Sequence, residues 1–152
     1  MPAGSVDTSY NLTGYIASPA SGWVFEHFVT IPAKYNNQYI VAVGGFENNY
    51  NIDKVYFETG TKVRVIGPSA FKGTRNLTYI DFPDSLRQIC EAAFQSSNLI
   101  SNSYFGGNNT IVIGKLGFNG CMRGGTGTYY VPSSVCVICQ GGLSHLQNTA
   151  RI

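Results

Sequence analysis

The chain has 152 residues, of which 43% are hydrophobic and only 12% are charged, and it contains 18 glycines and 10 tyrosines. The charged fraction is about half of the usual share, so the composition favours one Gly-rich, tightly wound β-domain over a helical enzyme domain. The net charge of +2, with basic residues scattered along the chain, argues against nucleic-acid binding, and the lack of a run of about 18 apolar residues argues against membrane insertion.

The first forty residues are interpreted as a polar arm followed by a capping region. Residues 1–9 contain no basic segment followed by an apolar one, so no signal peptide is expected there. A first strand is expected from Tyr10 to Tyr15. A second is expected over 23–31, where apolar residues alternate before Pro32. A turn at 35–38 then leads into a strand at 39–43, and residues 10–40 together would cap the repeats that follow.

From residue 41 onward one pattern recurs every 23 to 25 residues. Each copy has an aliphatic anchor, a small residue four positions later and a bulky residue directly after it. The anchors are Val41, Ile66, Ile89, Ile113 and Ile138, and the bulky residues are Phe46, Phe71, Phe94, Phe118 and Leu143. This period indicates a leucine-rich-repeat solenoid, in which stacked coils share one continuous core.

Each coil is predicted to contain two strands joined by one helical turn, with the Phe of the turn pointing inward. The first strand carries the anchor, and the second is clearest at 77–82. Asn102 stands where Ile80 would recur, so an irregular loop is expected over 102–109. Another is expected over 120–127, and a short closing helix over 143–150. The predicted core consists of Phe46, Ile66, Phe71, Ile89, Phe94, Ile113, Phe118 and Ile138.

The clearest copy resembles the unit of the BspA-like leucine-rich-repeat family, Ile-Gly-x-x-Ala-Phe followed by Leu-x-x-Ile-x-x-Pro. Residues 66–83 fit that unit, 29–41 resemble the opening of such domains, and 130–132 resemble the final strand. The resemblance covers about residues 10–145. It implies a mainly β solenoid of about five coils with short helical turns. The expected organisation is an arm at 1–9, a cap at 10–40, repeats at 41–143 and a tail at 144–152.

The four cysteines are expected to be free thiols, with one disulfide or a zinc site as alternatives. Cys136-x-x-Cys139 is a metal or redox pattern, but it falls on a predicted strand, where residues three apart face opposite sides. Cys90 and Cys139 lie two coils apart, which is about 10 Å at the strand spacing and too far for a disulfide. The sequence therefore predicts no metal and no cofactor.

The two histidines do not support an active site. His27 and His145 fall at opposite ends of the predicted solenoid, so they cannot share a site with one nucleophile. A Cys/His enzyme, with Cys121 or Cys139 beside His145, remains an alternative that no flanking motif supports. The chain is therefore expected to be no enzyme, with no catalytic residue.

The outward face of the second strands is the predicted partner surface. Strand alternation turns Tyr79 and Asp81 outward when their neighbours point inward. The repeat period carries this register to the other coils, where it points to Ser101 and Ser103 on the coil that follows. Exposed tyrosines supply much contact area at low entropic cost, although tyrosine is also common on ordinary β-surfaces. The predicted partner-binding residues are Phe28, Lys54, Tyr56, Tyr79, Asp81 and Tyr130.

Two functions are consistent with these sequence features. The first is a non-enzymatic protein-binding or adhesion module, which the family resemblance implies. The alternative is a structural or decoration subunit of a bacteriophage particle, which would need no signal peptide. The expected partner is a protein or glycan surface, copies of the chain itself, or other virion subunits. A complete chain would lie on a virion or in the cytoplasm, whereas a fragment of a longer protein would lie on a cell surface.

Overall fold

The structure, a computed structural model, describes residues 15–17, 24–25, 28–99, 101–121 and 129–146. Within these residues the chain forms strands and turns and no helix. Nothing in this part of the chain has the length and apolar character of a membrane-spanning helix. The strands are β1 (Tyr15–Ala17), β2 (Val24–Phe25), β3 (Phe28–Ile31), β4 (Lys34–Tyr35), β5 (Gln38–Val43), β6 (Lys54–Phe57), β7 (Val65–Ile66), β8 (Tyr79–Ile80), β9 (Gln88–Ile89), β10 (Val112–Ile113) and β11 (Val137–Ile138).

The strands form two sheets, as a leucine-rich-repeat solenoid requires. The first sheet has the order β1-β5-β7-β9-β10-β11, all parallel, and β4 pairs with β5 in antiparallel fashion. The second sheet has the order β2-β3-β6-β8. Because successive coils add parallel strands to these sheets, equivalent side chains of neighbouring coils lie side by side. The predicted mainly β repeat architecture is therefore confirmed.

A column of phenylalanine rings runs through the core between the sheets. Ring centroids of Phe46 and Phe71 are 4.9 Å apart, those of Phe71 and Phe94 5.3 Å, and those of Phe94 and Phe118 5.1 Å, with planes within 12° of parallel. All four rings are fully buried. Stacked aromatic rings add stabilisation beyond the area they bury, so this column couples each coil to the next.

The anchor residues form a second interior column, with one correction at each end. Val43, and not Val41, pairs with Ile66, because a short corner containing Gly44 and Gly45 brings Phe46 into the ring column after only three residues. Gly45 has a φ of +89°, which favours glycine. Ile138 was expected in the core but is 46% exposed, because β11 is the last strand of its sheet in the described part of the chain.

The segment between the two strands of a coil is a stack of turns and not a helical turn. Alternate N–H groups point to the next coil: Phe71 donates to the Ala93 carbonyl (2.7 Å) and Gly73 to the Gln95 carbonyl (2.8 Å). In a helix these donors would be used within the segment itself. For the N–H groups to alternate in this way, one residue of each turn must have a positive, left-handed φ angle. The residues at this position in successive coils are Ser69, Ala92, Leu116 and Gly141. The turns thereby add a third backbone ladder between coils.

The capping region differs from the single strand expected over 23–31. β2 and β3 are two strands that pair in antiparallel fashion, with Val24 opposite Val29 and Phe25 opposite Phe28. The expected turn at 35–38 is present: Asn36 and Asn37 have φ of 47° and 63°, as a two-residue hairpin turn requires. The first strand expected over 10–15 lies outside the described residues except for Tyr15, which begins β1.

The C-terminal predictions fall partly outside the described residues. Residues 143–145 form turns, and His145 has a φ of +53°, so no closing helix begins there. Residues 147–150 lie outside the described part. The loop expected over 120–127 lies outside it from residue 122 onward.

Candidate partner-binding face

The outward side of the second sheet carries the predicted partner residues in two rows. Phe28 pairs with Lys54, which pairs with Tyr79. Two residues further along the strands, Thr30 pairs with Tyr56, and the same register places Asp81 beside Tyr56. Neighbouring strands of a sheet are about 4.8 Å apart, so side chains within a row lie within contact distance of each other.

Aromatic contacts connect these rows across three coils. The Phe28 and Tyr56 rings meet edge to face at 6.4 Å, and the Tyr56 and Tyr79 rings lie 6.0 Å apart at a tilt of 51°. The Lys54 ammonium stands 5.7 Å from the centroid of the Phe28 ring. Phe28 is 44% exposed, and Tyr56 and Tyr79 are partly exposed. The three rings thus form a pre-ordered aromatic surface in contact with solvent.

Tyr79 and Asp81 form a polar pair at the edge of this surface. The Tyr79 hydroxyl donates to Asp81 Oδ1 at 3.4 Å. Partial burial raises the pKa of Tyr79 above its ordinary value, and the Asp81 charge, their hydrogen bond and Tyr56 raise it further. Tyr79 therefore keeps its proton at neutral pH, and its hydroxyl lies beside the Asp81 carboxylate.

Asn102 ends the regular pairing of this sheet. Its carboxamide is buried, accepts the Ile80 N–H through Oδ1 (3.0 Å) and donates to the Ile80 carbonyl through Nδ2 (2.9 Å). One side chain thus provides both hydrogen bonds that a neighbouring strand would give to Ile80. The chain beyond it forms the irregular loop expected over 102–109, and Phe105 re-enters the core against Phe118.

A second aromatic pair lies beyond this loop. Tyr104 and Tyr130 form a parallel bridge, their rings lie 5.4 Å apart, and each is 50% exposed. The transferred register pointed to Ser101 and Ser103 and missed Tyr104. The bulky Phe105, three residues after Asn102, was the signal that the register shifts there, because the residue preceding an inward side chain faces outward.

A polar groove of about 240 Å³ separates the two aromatic groups. Tyr79 and Asp81 form one wall, and Tyr104 and Asn108 belong to the other. The polar side chains of Ser101 and Ser103 also line it. We name the whole surface the aromatic face; it consists of Phe28, Lys54, Tyr56, Tyr79, Asp81, Tyr104 and Tyr130 with this groove.

The thiols of the described residues lie apart from the aromatic face. All four cysteines are free. Burial raises the pKa of Cys121 to about 12, and its thiol donates to the Phe94 carbonyl at 2.7 Å. Burial raises the pKa of Cys90 to about 11. Cys90 and Cys121 are therefore protonated at neutral pH and poor nucleophiles.

His145 contacts Asn119 and Ser144, also away from the aromatic face. Its Nδ1 lies 3.0 Å from Asn119 Nδ2 and 3.3 Å from Ser144 Oγ. The Ser144 hydroxyl donates to the Gly141 carbonyl, so its proton is not directed at the imidazole. In the described part of the chain, no three His, Cys, Asp or Glu side chains gather as a metal site would need.

Comparisons with known proteins agree with the repeat architecture. A family model described as BspA type leucine rich repeat region matches residues 31–141 in six copies. The structure resembles a leucine-rich repeat protein of T. pallidum, with 27% identity and a TM-score of 0.66 over 79% of this chain and 55% of that one. It also resembles a leucine-rich repeat protein of Bacteroides ovatus, with 27% identity and a TM-score of 0.58 over 73% of this chain and 29% of that one. The chain thus spans less than two thirds of either structure, and no curated protein matches it.

Proposed function

Because this chain belongs to the BspA-type leucine-rich-repeat family, we propose that it is a non-enzymatic protein-binding module of the adhesion type. The aromatic face is the proposed docking surface. The observation that carries the proposal is a set of five partly or largely exposed aromatic rings. Three lie on the outward side of the second sheet, and Tyr104 and Tyr130 form the parallel bridge beyond Asn102.

The chemistry of this face suits a protein surface. Tyrosine dominates binding hot spots because it combines a large apolar ring with a hydroxyl and loses little conformational entropy. Here three rings are already in contact with one another, and the Tyr79 hydroxyl also contacts Asp81. A partner therefore meets a largely ordered surface, and little side-chain freedom remains to be lost on binding.

The groove adds a place for a projecting group. Its volume of about 240 Å³ is below the range of sites for drug-sized ligands, but it suits one polar side chain or one sugar of a glycan. Asp81 in the wall favours a partner that presents a hydrogen-bond donor or a positive charge. Aromatic residues are enriched in protein interfaces, and here they flank a groove that can take a polar group of the partner.

The experiment starts with a pull-down in which the wild-type chain captures partners from a mixture of surface proteins. The affinity of each captured protein is then measured for the wild-type chain and for matched tyrosine variants. Tyr79→Ala should weaken binding by about 2 kcal/mol, as central aromatic anchors do. Tyr104→Ala tests the other wall of the groove in the same way. Tyr50→Ala is the control, because Tyr50 is 52% exposed, as Tyr104 is 50% exposed, but lies outside the aromatic face.

Hydrogen exchange of the complex gives an independent readout. Protection is expected at residues 54–57 and 79–81 and at 103–105. If Tyr50→Ala weakened binding as much as Tyr79→Ala, or if protection appeared only around Lys72, Arg75 and Gln95 on the turn side, the proposed docking surface would be wrong. A partner found to be a second copy of the chain would show as concentration-dependent mass in light scattering and as loss of self-association in Tyr79→Ala.

A further inference from the structure

A second groove lies over the first sheet and is cationic. Lys62, Arg64 and Arg87 line an open groove of about 730 Å³ on the outward side of β5, β7 and the segment before β9. The composition led to the expectation that the basic residues are scattered, and for this surface that expectation is wrong. The repeat gathers side chains that are up to 25 residues apart in sequence.

Coil stacking explains how the cations meet. The Arg64 N–H donates to the Val41 carbonyl at 2.8 Å, and the Arg87 N–H donates to the Arg64 carbonyl at 2.9 Å. Arg64 and Arg87 therefore occupy equivalent positions in neighbouring strands, about 4.8 Å apart along the stack. Lys62 lies two residues before Arg64 in the segment that leads into β7. Val63 between them is buried while both cationic residues are exposed, so the two side chains leave the same face.

Tyr39 orders the lysines at the end of the groove. The Lys34 ammonium lies 4.6 Å and the Lys62 ammonium 5.9 Å from the centroid of the Tyr39 ring, within the range of cation–π contacts. The ring is 44% exposed. Two flexible ammonium groups are thereby held near one aromatic ring while their N–H donors remain available to a ligand.

The lining of the groove contains cations and no carboxylate among the described residues. The salt bridge between Lys115 and Glu91 lies outside it. Arg87 Nη1 donates to the carbonyls of Asp84 and Leu86, which leaves Nε and Nη2 for a ligand. A concave surface lined by charges of one sign concentrates ions of the opposite sign, so this groove attracts anions.

We propose that this groove binds a linear oligosaccharide that carries an anionic group, carboxylate or sulfate, on successive sugars. Cations repeat along the stack at the strand spacing, which suits a ligand with repeating anions. Asn37, Gln38 and the Ser85 hydroxyl supply hydrogen-bonding groups for sugar hydroxyls beside them. The Ser85 hydroxyl donates to the Val63 carbonyl, so its oxygen accepts from the ligand.

The lining fits the other polyanions less well. Single-stranded nucleic acid binds where successive bases stack on several aromatic rings, and this groove has one ring, whose neighbourhood two ammonium groups already occupy. An acidic peptide gains most of its affinity from apolar anchors in closed pockets, whereas here the apolar floor consists of Val41 and the aliphatic stems of the cationic side chains.

The test uses the full chain and defined probes in calorimetry at low ionic strength. Oligogalacturonate supplies carboxylates, dextran sulfate supplies sulfates, and neutral dextran is the uncharged control; oligo-dT and polyglutamate represent the other polyanions. We expect binding of at least one acidic saccharide, no binding of neutral dextran, and weakening with added salt because screening reduces the attraction.

Matched variants assign the binding to this groove. Arg64→Gln should weaken acidic-saccharide binding about tenfold, as loss of a charge-assisted hydrogen bond does. Arg75→Gln removes the same charge from an exposed position outside the groove and should change affinity little. Arg64 is exposed, so its replacement should leave the thermal midpoint unchanged. Tyr79→Ala should leave saccharide binding intact, which keeps this inference separate from the proposed function.

Three results would overturn the proposal. They are failure of both acidic saccharides to bind, equal losses in Arg64→Gln and Arg75→Gln, and stronger binding of oligo-dT or polyglutamate than of either saccharide.

Discussion

Replacement of Asn102 should destabilise the domain far more than a polar loop residue usually does. Its carboxamide provides both hydrogen bonds to the backbone of Ile80, which is fully buried. Asn102→Ala leaves a buried N–H and a buried carbonyl unpaired, at a cost of about 1–3 kcal/mol for each group. The expected loss of about 2–6 kcal/mol is a large part of the 5–15 kcal/mol that typically stabilises a domain.

Two further variants separate hydrogen bonding from volume. Asn102→Leu restores the aliphatic residue usual at this repeat position and fills the space, so any remaining loss reflects the unpaired Ile80 groups. Asn102→Asp keeps the acceptor for the Ile80 N–H but faces the Ile80 carbonyl with a second acceptor. Its new carboxyl can donate only when protonated, so its folded-state pKa is raised. The stability of this variant is therefore highest in acid and falls as the pH rises through that pKa.

The assay is urea unfolding followed by circular dichroism, at neutral and acid pH. Ser101→Ala is the control, because Ser101 is exposed and its N–H donates through the backbone, to the Thr78 carbonyl. If Asn102→Ala unfolded at the same urea concentration as Ser101→Ala, the carboxamide would not be replacing a strand. Restoration of the wild-type midpoint by Asn102→Leu would likewise show that volume, and not hydrogen bonding, matters at this position.

The remaining predictions concern the core and the thiols. Phe94→Ala should lower the free energy of unfolding by about 3–5 kcal/mol, because the Phe94 ring is stacked between Phe71 and Phe118. Phe28→Ala, at the exposed edge, should lower it much less. Equal thermal midpoints for the two variants would contradict the ring column. Reductant should leave the midpoint unchanged, because the four thiols are free and a disulfide would contribute about 2–4 kcal/mol. A thiol reagent at mildly alkaline pH should label exposed Cys136 in the folded protein and reach Cys121 only after unfolding. Because burial raises the pKa of Cys121 to about 12, its protonated thiol favours the fold at neutral pH, and this contribution is lost as the pH rises toward that value.

The repeat made the core and most of one surface predictable. Residues that recur at a constant shift must lie side by side in a stacked fold, and strand alternation then determines which of them face outward. These two rules bring Phe71, Phe94 and Phe118 into one column and put Lys54 beside Tyr79. They need no knowledge of the turns that connect the strands.

Prediction from the repeat fails where the number of residues per coil changes locally. The corner at Gly44 and Gly45 shortens the first coil, so the anchor is Val43 and not Val41. Asn102 ends the pairing of β8 and shifts the register, so Tyr104 joins the exposed Ser101 and Ser103 on the surface. Neither event changes the average period. The first leaves no mark in the pattern of bulky residues, and the second is marked only by Phe105, three residues after Asn102.

The turn conformation had no sequence signal at all. Ala92 and Leu116 adopt left-handed φ angles of 56° each, which non-glycine residues seldom adopt. The local cost is offset because each such residue turns its N–H toward the next coil: Ala92 donates to Lys115 and Leu116 to Gln140. Propensity describes a residue within its own segment, whereas this conformation is stabilised by the neighbouring coil.

The two surfaces follow from the same construction. The coils that contain β5 with β6 and β7 with β8 contribute one strand to each sheet. An outward residue of one strand can therefore change without altering the packing of the other strand. Arg64 and Arg87 can therefore lie side by side over the first sheet, while Lys54 and Tyr79 lie side by side on the second sheet. A net charge of +2 conceals this separation, because it sums charges along the chain. Counting charges by repeat position exposes the cationic groove, since Arg64 and Arg87 are one repeat of 23 residues apart.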